Sequence, residues 1–246
     1  MYNHGVTLLP TKFYPPPIPA GYVVRPHLLK ILDQPLTCRL TLVSAPAGAG
    51  KTTLVSAWAS ALREQGVVSG WYALDDLDNA PARFQEYLVA CLEECGTVIA
   101  MDSPSSSPLE TANSRAVLDA IIRSLLNLKR GLLLILDDYH LVQEKEVHAA
   151  LAYLLDHMPP HLHLVLLTRS DPPFGLARLR AAGQLLELRM DQLRFSALEA
   201  AAFVHKTAGV QLSDGDAAAL NTRTEGWIAG LQMAAISMRG RQDVPA

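Results

Sequence analysis

Apolar positions along the chain follow two rhythms. Short apolar stretches fall near 40–44, 70–74, 132–136, 163–168 and 185–188, and the most continuous is Leu132-Leu133-Leu134-Ile135-Leu136. Unbroken runs of this length are what strands buried on both faces of a parallel sheet look like. Between them, apolar residues recur at helical spacing over 27–32, 51–62, 82–95, 117–128 and 144–157; Phe84, Tyr87, Leu88, Cys91 and Leu92 are one example. Alternating strands and helices predict an α/β fold, one parallel sheet with helices on both faces. After Phe195 the strand signals stop. Three helical stretches remain, 196–208, 213–221 and 227–238, the first opened by a capping box of Ser196 and Glu199. This pattern divides the chain into a core over 23–195 and a small C-terminal helical subdomain over 196–246. Residues 1–22 are Pro-rich, with Phe13-Tyr14-Pro15-Pro16-Pro17-Ile18-Pro19, and predict an extended, polyproline-like segment on the surface. The Ser/Pro stretch 103–108 reads as a loop within the core. The turn Asp75-Asp76-Leu77-Asp78-Asn79 reads as a solvated loop and helix cap rather than a cation site.

Composition narrows the function classes. The chain has 246 residues, half of them hydrophobic, enough for a large core. Its net charge of −3 offers no basic face, so no direct DNA binding by this segment is expected. The cysteines Cys38, Cys91 and Cys95 form no metal-binding pattern, and Cys91 and Cys95, four apart on a helix, read as small buried hydrophobes. His140, His161 and His163 have no carboxylate or cysteine company at ligand spacing. No apolar run approaches the roughly 18 residues of a membrane span. A cytoplasmic protein without membrane contact is the expectation.

One stretch carries chemistry. Ala45-Pro46-Ala47-Gly48-Ala49-Gly50-Lys51-Thr52-Thr53 joins the first strand to a helix. Strand, glycine-bearing loop and helix is the context of a phosphate-binding loop, in which backbone N–H groups turn inward around an anion. Lys51 would reach the outer phosphates, and the Thr52 hydroxyl would sit on Mg²⁺. The third long apolar strand ends in Asp137-Asp138, at the carboxyl end where open α/β sheets bind ligands. Asp137 would hold Mg²⁺ and Asp138 would polarise the attacking water. Arg169, just past the fourth strand, would face a terminal phosphate. The residues predict ATP/ADP and Mg²⁺ as cofactors.

The chain resembles the N-terminal nucleotide-binding domain of MalT-like, ATP-dependent LuxR-type transcriptional activators, of the STAND branch of P-loop NTPases. The stretches that carry the resemblance are Val23-Val24-Arg25-Pro26, the loop at 44–54, Gly70-Trp71-Tyr72-Ala73-Leu74-Asp75, Phe84-Gln85-Glu86-Tyr87-Leu88, Leu136-Asp137-Asp138-Tyr139-His140, Thr168-Arg169 and Glu225-Gly226-Trp227. The resemblance implies sheet order 5-1-4-3-2, with the loop-bearing strand central and Arg169 between the loop and Asp137. It implies that Val24 and Arg25 line the adenine and ribose. It also implies a switch: ADP at rest, exchange for ATP, slow hydrolysis, and self-association when ATP is bound. A downstream sensor and a helix-turn-helix would belong to a longer chain, of which this sequence is a fragment or a short relative. Gly226 matches the STAND motif, but Ile228 stands where many relatives have Pro. The alternative reading is a constitutive P-loop ATPase or kinase.

Overall fold

The computed structural model describes residues 8–33, 38–99, 114–128 and 130–242. The loop expected at 103–108 lies outside them. Five parallel strands form one sheet: β1 (Leu40–Ser44), β2 (Val68–Ala73), β3 (Leu132–Asp137), β4 (Leu162–Thr168) and β5 (Leu185–Arg189), in the order β2-β3-β4-β1-β5. This is the expected 5-1-4-3-2 order. The strand that feeds the phosphate-binding loop is flanked by β4 and β5, so its carboxyl end lies within the sheet rather than at an edge.

Burial explains why the strands lack alternation. Leu132, Leu134 and Leu136 point into one apolar layer, with α3 (Pro81–Glu94), α4 (Ser114–Leu126) and α5 (Lys145–His157). Leu133 and Ile135 point into the other, with α1 (Pro26–Asp33) and α2 (Lys51–Glu64). Each face is covered, so a polar side chain along β1, β3 or β4 needs a partner, as Thr41 and His163 have in each other at 2.8 Å, and each buried leucine contributes about 1.5–3 kcal/mol. The helix α6 (Leu176–Ala181) and the one-turn α7 (Met190–Leu193) frame β5.

A third apolar cluster belongs to the C-terminal helices α8 (Ala197–Ala208), α9 (Asp214–Thr224) and α10 (Ile228–Gln242). Ala200, Val204, Leu231 and Ala235 are fully buried there, and Val23 from the amino-terminal end joins them. The expected capping box is present: Ser196 Oγ accepts from the Glu199 amide, and the Glu199 carboxylate accepts from the Ser196 amide.

Two expectations change. The proline-rich segment does lie mostly on the surface, but it is anchored. A 3-10 turn at Pro10–Phe13 buries Lys12, whose ammonium is 2.5 Å from Asp78 and 2.8 Å from Asp75. The acidic turn is accordingly not a simple solvated loop. Asp75 caps a 3-10 turn, as expected, but Asp78 is wholly buried and held by Lys12 and Arg83. A carboxylate so far from water must be paired, and a side chain 66 residues away supplies the charge.

Candidate nucleotide site

The glycines of the loop are there for their backbone. Gly48 and Gly50 have φ of 68° and 82°, the left-handed region that side chains disfavour. Gly50 is also the N-cap of α2 and provides no capping side chain. The first N–H groups of α2 therefore have no side-chain partner at this end, which is the anion-binding property of a helix N-terminus. Lys51, the first helical residue, is 7% exposed and folds back on its own loop, donating to the Ala45 and Pro46 carbonyls at 2.7 and 3.0 Å. Burial lowers its pKa, and Asp138 and Asp137 act against that.

The Walker-type carboxylates stand opposite. The Thr52 hydroxyl donates to Asp137 Oδ1 at 3.2 Å, so the two residues expected to share a metal already touch. Asp137 is 5% exposed, and burial, reinforced by the neighbouring Asp138 charge, pushes its pKa up to about 6. A buried carboxylate so disfavoured is a group waiting for a cation, which is a fit to Mg²⁺ from the chemistry of the donors. Asp138 sits at φ 56°, an unusual conformation for a residue with a side chain, and its carboxylate is half exposed.

These elements enclose a cavity of about 250 Å³ lined by Ala47–Thr53, Asp138 and Arg169. Among the described residues, the Arg169 guanidinium has no ion-pair or hydrogen-bond partner, and the side chain is exposed. A second cavity, of about 370 Å³, shares Gly48, Ala49, Gly50 and Thr53 with the first. Its remaining walls are largely apolar: Val23, Leu54, Phe195, Phe203 and Ile228. A polar pocket thus opens beside an apolar pocket of a size to take a purine nucleoside.

Of Val24 and Arg25, the positions expected around the base, only Arg25 lines this second cavity. Val24 is 54% exposed and does not line the cavity; its neighbour Val23 does. Arg25 lines it, but its guanidinium is committed elsewhere. It donates to the carbonyls of Leu193 at 2.8 Å and Arg194 at 2.5 Å, pairs with Glu199 at 3.0 Å, and lies 4.5 Å above the Phe195 ring. Arg25 therefore ties the end of the core to the helical subdomain. Pro46 contributes its carbonyl to Lys51.

Sequence reasoning left three residues at this site without a role. Trp227 Nε1 donates to the Ala47 carbonyl at 3.2 Å, and the Ala229 amide donates to the Gly48 carbonyl at 3.2 Å. The start of α10 thus rests on the phosphate-binding loop; a Cβ at Gly48 would come within 2.7 Å of that of Ala229. His140 places Nδ1 3.8 Å from an Asp138 oxygen, with its pKa lowered by burial and by Arg169. Only adjacency to the acidic pair hinted at His140.

The sheet order, the glycine loop and the paired acids define a P-loop nucleotide-binding fold. The chain belongs to the AAA ATPase domain family, whose model matches residues 26–167. Over 94% of its length it is 38% identical to the HTH-type transcriptional regulators MalT of Yersinia enterocolitica and Yersinia pestis, bearing out the resemblance in the sequence. The chain spans 25% of those relatives. Among solved structures, a RuvB variant of Thermotoga maritima aligns with a TM-score of 0.52 at 18% identity, covering 89% of this chain and 62% of that one. Domain III of the replication initiation protein DnaA from the same organism aligns at 0.50 and 12%, covering 91% and 87%. At these identities the two support the fold alone. Among the described residues no helix is long and apolar enough to cross a membrane.

Proposed function

We propose that this segment is the ATP/ADP-controlled switch of a MalT-type transcriptional regulator, with slow hydrolysis and ATP-dependent self-association. The observation that carries the reading is the seat of α10 on the phosphate-binding loop, through the bonds from Trp227 and Ala229. A loop that binds phosphate and also bears a second structural unit couples the nucleotide to the placement of that unit. A switch needs different affinity for two states, and this contact is where such a difference would arise.

In this reading the α2 N-terminus and Lys51 hold the phosphates, and Lys51 exchanges its bonds to Ala45 and Pro46 for phosphate oxygens. Thr52 and Asp137 hold Mg²⁺, which when bound would offset phosphate charge. Asp138 accepts the proton of the attacking water. Arg169 donates to the terminal phosphate, which ADP lacks. The apolar cavity takes the base. Transcriptional control, a sensor and a helix-turn-helix belong in this reading to a longer chain.

The test is to identify nucleotide retained through purification and measure turnover and mass on the same sample. ADP retained, turnover well below the usual enzyme median of ~10 s⁻¹, and a mass increase with a non-hydrolysable ATP analogue support the switch. Fast turnover at constant mass supports a constitutive ATPase instead.

A further inference from the structure

Away from this cleft, Cys91 and Cys95 occupy the last turn of α3, against the edge strand β2. Cys91 is 1% and Cys95 6% exposed. Both sulfurs turn toward one backbone point: a Cβ built on Gly70 would lie 2.8 Å from Cys95 Sγ and 3.0 Å from Cys91 Sγ. Only glycine leaves that space to the two thiols. A cavity of about 250 Å³ opens beside them, with Phe13 and Tyr14 of the amino-terminal segment as one wall and Arg63 and Glu94 also lining it.

The spacing decides what the pair can do. Residues four apart on a helix hold their Cβ atoms about 5–6 Å apart. A disulfide wants about 3.5–4.5 Å, so direct oxidation requires the end of α3 to move. One atom inserted between the sulfurs removes that mismatch. That atom must be content with two protein ligands, because among the described residues no group of three or more His, Cys, Asp or Glu is placed to hold a metal ion. Closed tetrahedral zinc is therefore a poor match, and a soft, thiophilic centre a good one.

We propose that Cys91 and Cys95 form a dithiol site that captures a thiophilic trivalent metalloid, entering through the cavity under the amino-terminal segment. A reagent of the form R–As=O condenses with the two thiols. Two As–S bonds form, the As=O bond breaks, and the two thiol protons leave with the oxygen as water. No electrons are exchanged. The Cys91 thiol donates to the Trp71 carbonyl at 3.4 Å. The first attack falls to Cys95, whose thiol is the more acidic of the two because the adjacent Cys91 and the positive charge of Arg130 and Arg63 favour its thiolate. Cys91, whose thiol is pushed up by the neighbouring Cys95 and by burial, closes the ring.

The experiment treats the full chain with phenylarsine oxide in excess monothiol, where single-cysteine adducts do not persist. Intact mass should show one phenylarsenic group per chain, removed by a competing dithiol. The Cys38→Ser variant should keep it, and Cys91→Ser and Cys95→Ser should each lose it. Peptide mapping of the unsubstituted parent, alkylated after denaturation with and without prior arsenical, gives a readout independent of variant folding and of burial. Cys91 and Cys95 should both be protected only in the treated sample, and Cys38 in neither. No stable adduct on the parent, an equal adduct on Cys91→Ser, or protection confined to one cysteine would overturn the proposal.

Discussion

The two ends of the cleft are built by opposite means. The phosphate end is local: Ala47–Thr53 are consecutive, and Asp138 and Arg169 come from the ends of neighbouring strands. The base end is assembled from distant pieces: Val23 before α1, Phe195 after α7, Phe203 on α8 and Ile228 on α10. The first is polar and, in the proposed reading, would rely on backbone N–H groups and charge. The second is apolar and relies on packing between the core and the helical subdomain. Chemistry and discrimination between ATP and ADP should therefore reside at the phosphate end, and affinity common to both nucleotides at the base end.

The sharpest break of that division would come from Asp138→Asn. The change keeps shape and removes the carboxylate expected to take a proton from water. Hydrolysis should fall by about 100-fold or more while ATP binding persists. Hydrolysis at the parent rate, measured by phosphate release, would remove Asp138 from that role. His140, 3.8 Å away, would be the next group to replace.

Binding itself should respond next. Lys51→Ala should weaken ATP and ADP alike by roughly 10- to 100-fold, the cost of a charge-assisted contact of about 1.5–3 kcal/mol. Arg169→Ala should weaken ATP by about tenfold and leave ADP nearly unchanged, because only ATP presents a terminal phosphate to it. Titration calorimetry with both nucleotides tests both. Equal weakening by Arg169→Ala would place discrimination outside the phosphate end, with the contact of Trp227 on Ala47 as the leading alternative.

The same difference explains what could be read from sequence. The loop, both acids and the strands themselves were legible because each rests on a contiguous motif or a run of one period, whereas the strand order came only with the family resemblance. The anchoring of Lys12 to Asp78 was not legible, since the partners lie 66 positions apart and each looks like an ordinary surface charge. Arg25 lines the apolar cavity, yet its packing role was not legible, for a related reason. Its match to a family segment pointed to the nucleotide, while its donors are taken by carbonyls at 193 and 194 and by Glu199. Val23 and Val24 show the limit most plainly, as adjacent valines with opposite fates that only the turn of the chain decides.

The phosphate end should also cost stability when empty. Asp137 has its pKa raised to about 6 from an ordinary 3.8, so the folded state holds its proton at higher pH than the unfolded chain does. Its ionised form is a penalty, fully present above about pH 6, and removed as pH falls toward 3.8. Asp137→Asn should therefore stabilise the nucleotide-free protein at pH 7 by on the order of 1–3 kcal/mol, with the advantage fading as pH falls from about 6 and gone near pH 4. Denaturant unfolding at pH 7 and pH 4 measures it. A variant no more stable than the parent at pH 7 would mean that Thr52 and the Asp138 amide already compensate the charge.

The smallest expected effect probes the base end. Ile228 lines the apolar cavity and lies near the loop, with Cγ2 3.4 Å from where a Cβ on Gly50 would be. Ile228→Ala removes apolar surface from the wall without touching a charged group. At about 0.8 kcal/mol for each buried methylene-sized group, partial exposure of the wall leaves roughly 1 kcal/mol, or about fivefold in affinity. The loss should be the same for ATP, ADP and AMP, since all three carry the same base and ribose. That equality is the informative quantity. A loss confined to ATP would mean that α10 reads the phosphates through the loop it rests on, and the two ends of the cleft would then act as one unit.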